Sequence, residues 1–282
     1  MAEIQEAEER VGPFRVPRNM AQEVKGSIHD DATASKLGLK GGTVAGSIHM
    51  DQFVPMLVDI YGEAWWKTGT LSLMFKQPTV DREEVRAVVR PGDPRARLTM
   101  YNQPGDLICE GTASLLSPDP ESELAKRMPA QEPARPGSLR ILAALKIGDK
   151  AGDVPVEITA EGAKRRNETI TEPMKAYEGE TGILPPSLAV GLAHQARSAV
   201  VGAAGKSVGL FGALEVQHIN GPLRAATKYV ARTHVKQLSE SPRTENVWYD
   251  VTLADAKSGQ DIANVMFMLR FMKASSPLWT AA

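Results

Sequence analysis

Ser27-Ile28-His29-Asp30-Asp31 puts an imidazole and a carboxylate two residues apart, and Gly38-Leu39-Lys40-Gly41-Gly42-Thr43-Val44-Ala45-Gly46 leads from them into a largely apolar run. An unperturbed imidazole changes charge near pH ~6.5, so it can take and return a proton at neutral pH, while a nearby carboxylate shares that proton or orients water. A glycine-rich approach to a helix exposes backbone N–H groups that hold negative charge as it develops on an oxygen. His29 and Asp31 are therefore the candidate proton-transfer and water-orienting residues. Gly46, with no Cβ, is the candidate backbone position at that helix start, where it permits close approach. Asp30 is assigned to solvent or to ordering the loop. A second Ser-Ile-His, Ser47-Ile48-His49, adds His49 as a candidate pocket residue, and Met50, Phe53, Met74 and Phe75 are the apolar candidates for the same pocket. Residues of these types at these spacings also build cores. His29 and His49 find no compact third ligand, so no metal and no cofactor is expected.

The elements that must position these residues follow from periodicity. Ile48, Phe53, Met56, Leu57 and Ile60 recur at helical spacing and predict a helix over 47–61, with Pro55 as a kink or a tight contact. Leu71, Leu73 and Phe75 alternate with Ser72, Met74 and Lys76 and predict a strand, and further strands are predicted over 84–90, 96–101 and 107–116. Pro13-Phe14-Arg15-Val16-Pro17 reads as a short edge. Five prolines among charged and small residues make 117–140 a surface linker. The second half repeats the order. Extended structure is predicted over 154–159 and 168–171, a helix over 187–196, and strands over 208–216, 227–237, 246–253 and 261–271. The expected organisation is residues 1–116 as a domain carrying the chemistry, 117–140 as linker, and 141–282 as a second domain that helps to enclose the site. Internal duplication of the fold is expected with little residue identity between the halves.

Composition narrows the function classes. The 282 residues are 42% hydrophobic and 24% charged, with a formal net charge of −1. Basic residues are scattered among acids, which argues against nucleic acid as a partner. No apolar run is long enough for a bilayer span, and residues 1–12 are mostly acidic and polar, so a cytoplasmic protein without membrane contact is expected. Cys109 stands alone, which precludes an internal disulfide and reads as a buried small hydrophobe. No GxxxxGKS or GxGxxG motif points to nucleotide hydrolysis or a dinucleotide.

The sequence resembles the MaoC-like hydratases and dehydratases. His29-Asp30-Asp31 resembles their His-x-Asp, Gly38-Leu39 the feature that follows, and Val44-Ala45-Gly46 the glycine that starts their helix. Leu71-Ser72-Leu73-Met74-Phe75-Lys76-Gln77-Pro78-Thr79-Val80 is similar to their strand ending in Phe-x-x-Pro-Val, with Thr79 inserted before Val80, and Leu184-Pro185-Pro186-Ser187 is similar to the paired-proline helix start of the noncatalytic repeat. Two positions depart from the pattern: Gly26-Ser27 stands where Asn-Pro is common, and Ala45 where His is frequent. The resemblance implies an α+β double hot-dog fold, two antiparallel β-sheets wrapped around long central helices. It also implies reversible hydration of a 2-enoyl-CoA or dehydration of a 3-hydroxyacyl-CoA, with His29 and Asp31 acting on water and the thioester and the backbone at Gly46 binding the carbonyl oxygen. The acyl-CoA substrate is the implied partner, in a monomer or homodimer. Arg224, Lys228, Arg232 and Lys236, or Lys164-Arg165-Arg166, are then candidates for the coenzyme A phosphates, and His194 and His218 for scaffold or tunnel. Acyl-CoA hydrolysis and noncatalytic acyl-thioester binding are the alternatives.

Overall fold

Glycine and proline punctuation divides the chain into short elements, and the apolar alternation within them decides which face each buries. The computed structural model describes residues 8–280, so the acidic start at residues 1–7 lies outside the described residues. Ten strands form: β1 Arg10–Val11, β2 Thr70–Phe75, β3 Val85–Arg90, β4 Arg95–Asn102, β5 Leu107–Ser114, β6 Lys150–Glu157, β7 Gly209–His218, β8 Lys228–Glu240, β9 Thr244–Asp255 and β10 Asp261–Met272. Their order in space is β1-β3-β4-β5-β2-β7-β10-β9-β8-β6, and every pairing is antiparallel.

That order exposes the repeat. Each half runs strand, helix, four strands, and the halves meet where β2 pairs β7, with Leu73 opposite Leu214. The expectation of two sheets is thus corrected: the strands form one continuous sheet of ten. Joining β2 to β7 satisfies backbone donors and acceptors that two separate sheets would leave on open edges.

The predicted helix over 47–61 is helical in three pieces: Gly46–Met50, a tighter turn at Asp51–Phe53, and Val54–Tyr61. Pro55 has no N–H to donate to the turn before it, which accounts for the break. Met50, Phe53, Val54 and Leu57 from this run are buried in one core with Leu71, Leu73 and Phe75 of β2. The second half places Pro186–His194 in the corresponding position, starting at the paired prolines.

Three expectations differ from the structure. Residues 168–171 form no strand, and 13–17 contribute only an isolated bridge, Arg15 to Val85. Trp65 and Trp66 are core residues of the short helix Ala64–Thr68. The segment 117–140 is packed, not a free surface linker: its helix Glu123–Arg127 buries Leu124 against Met74, Ala213, Trp248 and Met268. Leu124 N–H donates to Ser72 Oγ at 3.0 Å, so β2 is covered on both faces. Cys109 is in the core, where burial pushes its thiol pKa up. Among the described residues no helix is long and apolar enough to cross a membrane.

Candidate functional site

Residues 24–29 and 43–46, the loop after β2, the end of the Pro186–His194 helix and the start of β7 surround a cavity of about 430 Å³. Both halves therefore line it. His29, Gly46, His49 and Phe75 are the sequence-predicted residues that it brings together.

His29 is fixed by its backbone and its ring. Gly42 approaches so closely that a Cβ there would lie 2.2 Å from the His29 carbonyl oxygen, which only glycine permits. Asn19 Nδ2 donates to the same oxygen at 2.8 Å. His29 Nδ1 lies 2.7 Å from the Thr43 carbonyl oxygen. A carbonyl only accepts, so Nδ1 carries the hydrogen, and in the neutral ring Nε2 is left with the proton-accepting lone pair. Thr43, which the sequence did not single out, thus selects the tautomer.

Asp31 goes elsewhere. Its Oδ1 accepts from Gly42 N–H at 2.7 Å and its Oδ2 from Gln22 Nε2 at 3.2 Å, and the residue is exposed and does not line the cavity. The reason is local. Asp30 is the N-cap of the helix Asp31–Lys36, so the chain leaves the extended conformation in which positions 29 and 31 would share a face. Asp30 is buried and accepts from Thr33 Oγ1 at 2.8 Å and Lys25 Nζ at 3.2 Å. The Thr33 hydroxyl, with Lys25, holds its carboxyl below the usual carboxylate range.

Gly46 begins the helix Gly46–Met50, with Ala45 at its N-cap. Alanine has no side-chain oxygen to offer the first-turn N–H groups, and both residues line the cavity. The glycine serves packing rather than open approach: a Cβ on Gly46 would lie 2.7 Å from Phe75 Cε2 and Cζ, so the Phe75 ring fills that space. His49 Nε2 and Thr79 Oγ1 are 2.8 Å apart, and burial pushes the His49 pKa down to about 4. His49 is neutral at neutral pH.

Met50, Phe53 and Met74 do not line the cavity. Met50 and Phe53 face the main core, and Met74, one residue out of phase with Leu73 and Phe75, packs under the segment 117–140. The basic residues considered for phosphates are also engaged elsewhere. Arg232 pairs with Asp261, Lys236 with Asp250 at 3.0 Å, Arg224 Nη1 donates to the Thr181 carbonyl at 3.0 Å, and none of these, nor Lys228, lines the cavity. Arg166 is in the helix Ala160–Asn167 and pairs with buried Asp51 at 2.6 Å. His218 is buried, and His194 lines the cavity. Arg197 and Arg270 also line it, and sequence reasoning missed both. Their signal was faint: a lone cation between Leu269 and Phe271, and another just after a helix end.

No Asp or Glu lines the cavity among the described residues. His29, whose Nε2 holds a defined lone pair in the neutral ring, and an uncapped helix start line one cavity, an arrangement able to move a proton at a bound carbonyl compound.

No protein-family model matches the chain, and no curated protein matches it by sequence. Solved structures do. A MaoC domain protein from Chloroflexus aurantiacus superposes over 94% of this chain and 95% of its own with a TM-score of 0.64 at 11% identity. A Mycobacterium tuberculosis protein with a double hot-dog fold covers 94% of this chain and 97% of its own, at a TM-score of 0.61 and 12% identity. A MaoC-like dehydratase covers 95% and 99%, with a TM-score of 0.56 and 15% identity. Likeness at this identity establishes the fold: the chain has an α+β, hot-dog-like architecture of antiparallel sheet and helices.

Proposed function

We propose that this chain is a MaoC-like hydratase or dehydratase of the double hot-dog type, interconverting a 2-enoyl-CoA and a 3-hydroxyacyl-CoA in the cytoplasm. The amino-terminal half supplies the chemistry and the carboxyl-terminal half closes over the acyl group. The observation that carries this reading is that His29, its Nδ1 committed to the Thr43 carbonyl, lines the same cavity as the uncapped helix start at Ala45 and Gly46.

With Asp31 turned to Gly42, a single imidazole serves both proton transfers. In the dehydration direction His29 Nε2 removes the proton from C2, and the electron pair moves toward the thioester carbonyl, whose oxygen gains negative charge. First-turn N–H groups of the Gly46–Met50 helix hold that charge; a donor so placed is worth about 2.7–4 kcal/mol in acyl transfer. The C3–O bond then breaks, the departing hydroxyl takes the proton back from Nε2, and water leaves. Hydration is the reverse. Asp31 acts through the backbone, keeping Gly42 and Thr43 where they hold the ring.

The lack of a lining carboxylate also suits the second reading, hydrolysis, in which His29 activates water against the carbonyl carbon. Incubation with short, branched and aromatic enoyl-CoA thioesters, followed by mass spectrometry, separates them. Hydration keeps the thioester and adds one water, whereas hydrolysis releases free coenzyme A. Neither product from any thioester contradicts both readings.

A further inference from the structure

We propose that the carboxyl-terminal wall of the cavity binds a carboxylate carried by the acyl group itself, gripped by Arg197 and Arg270, so that the substrate is a short dicarboxylic acyl thioester. This rests on the acyl-thioester reading above and names its substrate class.

The charge balance of the cavity carries the inference. Its lining includes Lys76, Arg197 and Arg270 and no acid. Lys76 is already neutralised by Glu110 at 2.6 Å. The two arginines are not. Among the described residues Arg270 reaches only Met74 Sδ, at 3.8 Å, and burial lowers its pKa from the ordinary guanidinium range. Arg197 has a buried Nε with no partner, its guanidinium 5.9 Å from the centre of the Phe271 ring. A partly buried guanidinium with no acid beside it is an unfavourable arrangement that an anionic ligand relieves.

A neutral ring stands with them. His194 lines the same wall, and burial together with Arg197 pushes its pKa down to about 4, so it does not add a third competing cation. Its Nδ1 is buried and unpartnered. The His194 ring also packs on Phe267, at 5.9 Å between centroids. Planar guanidinium forks match the two oxygens of a carboxylate. The coenzyme A phosphates are the other source of negative charge. A cavity of 430 Å³ lies near the lower end of the ~300–1,000 Å³ that ligand pockets span, which suits an acyl tip rather than a nucleotide.

Calorimetric titration of the full chain with S-(3-carboxypropanoyl)pantetheine and S-butanoylpantetheine tests this. The two differ in the carboxylate, neither carries a phosphate, and both are saturated, so neither can be hydrated during the titration. The carboxylated thioester is expected to bind tighter by about 10- to 100-fold, the range for a charge-assisted hydrogen bond. That ratio is expected to fall toward one in Arg197→Gln and Arg270→Gln, with Arg270→Lys keeping part of it. Equal binding in the unsubstituted protein overturns the proposal, as does no binding of either thioester or a preference that survives both glutamine substitutions. So does loss of affinity for coenzyme A with the carboxylate preference intact, which assigns the arginines to phosphates. A preserved preference with no water addition to the unsaturated counterpart leaves the binding site standing and removes the lyase.

Discussion

The two halves start their central helices in opposite ways. In the amino-terminal half, Ala45 leaves the first turn of Gly46–Met50 without a side-chain cap, and that turn lines the cavity. In the carboxyl-terminal half, the first turn of Pro186–His194 is already occupied: Ser187 N–H donates to Asp51 Oδ1 at 2.8 Å, and Ser187 Oγ and Arg166 both reach Asp51 Oδ2. Burial pushes the Asp51 carboxyl up, while Arg166 and Ser187 pull it back. Asp51 comes from the first half, so that half both keeps its own helix start open and plugs that of its neighbour. A duplicated fold can thereby leave one helix start open to the cavity and turn the other into a joint.

The comparison can be broken at either end. The largest effect is expected from His29→Ala, a loss of about 10²–10⁴-fold in turnover with the fold intact by circular dichroism; a variant that turns over like the unsubstituted protein removes His29 from the chemistry. Asp51→Ala strands Arg166 and uncaps the second helix, and is expected to cost about 3–5 kcal/mol in urea unfolding. A loss below about 1 kcal/mol would show that the joint is not held by this pair.

Acid sharpens the picture. Burial depresses the pKa values of His49, His194 and His218 to about 4, from about 6.5 in an unfolded chain. The unfolded state therefore binds more protons between those values. Stability from these residues is complete above pH ~6.5 and is lost as pH falls toward ~4, by about 3 kcal/mol for each residue. A urea midpoint that stays level from pH 6.5 to 4.5 would contradict this.

Gly46→Ala forces Phe75 to shift and is expected to cost about 1–3 kcal/mol, with reduced turnover because the helix start moves with it. Asp31→Ala loses the bond to Gly42 N–H and is expected to cost about 1 kcal/mol, with a much smaller drop in turnover than His29→Ala. If Asp31→Ala and His29→Ala are equally inactive while folded, the assignment of Asp31 to positioning fails.

Much of the fold was legible because strands such as β4 and β8 alternate along most of their length and the turns between strands carry glycine or proline. β3, β4 and β7 through β10 fall within a few residues of their predicted spans, and the repeat shows in the element order. The segment 117–140 was not legible as packed structure, since its composition is that of a linker and Leu124 finds its partners only across the sheet. In the site, His29 and Gly46 stood out through their neighbours in sequence. Asp31 misled because the helix beginning there turns it off the face of His29. Met50, Phe53 and Met74 fit a pocket or a core equally by spacing, and tertiary packing made them core. Arg197 and Arg270 join the cavity only when β7 and β10 pair, which no local pattern announces.

The most direct test of a single-imidazole lyase is turnover of 2-butenoyl-CoA and its 3-carboxy analogue in ¹⁸O-labelled water, read by mass spectrometry in the unsubstituted protein and in His29→Ala. The account predicts one labelled hydroxyl on an intact thioester from the unsubstituted protein and none from the variant. Label appearing only in a released free acid, or equally on the thioester from both proteins, would contradict it.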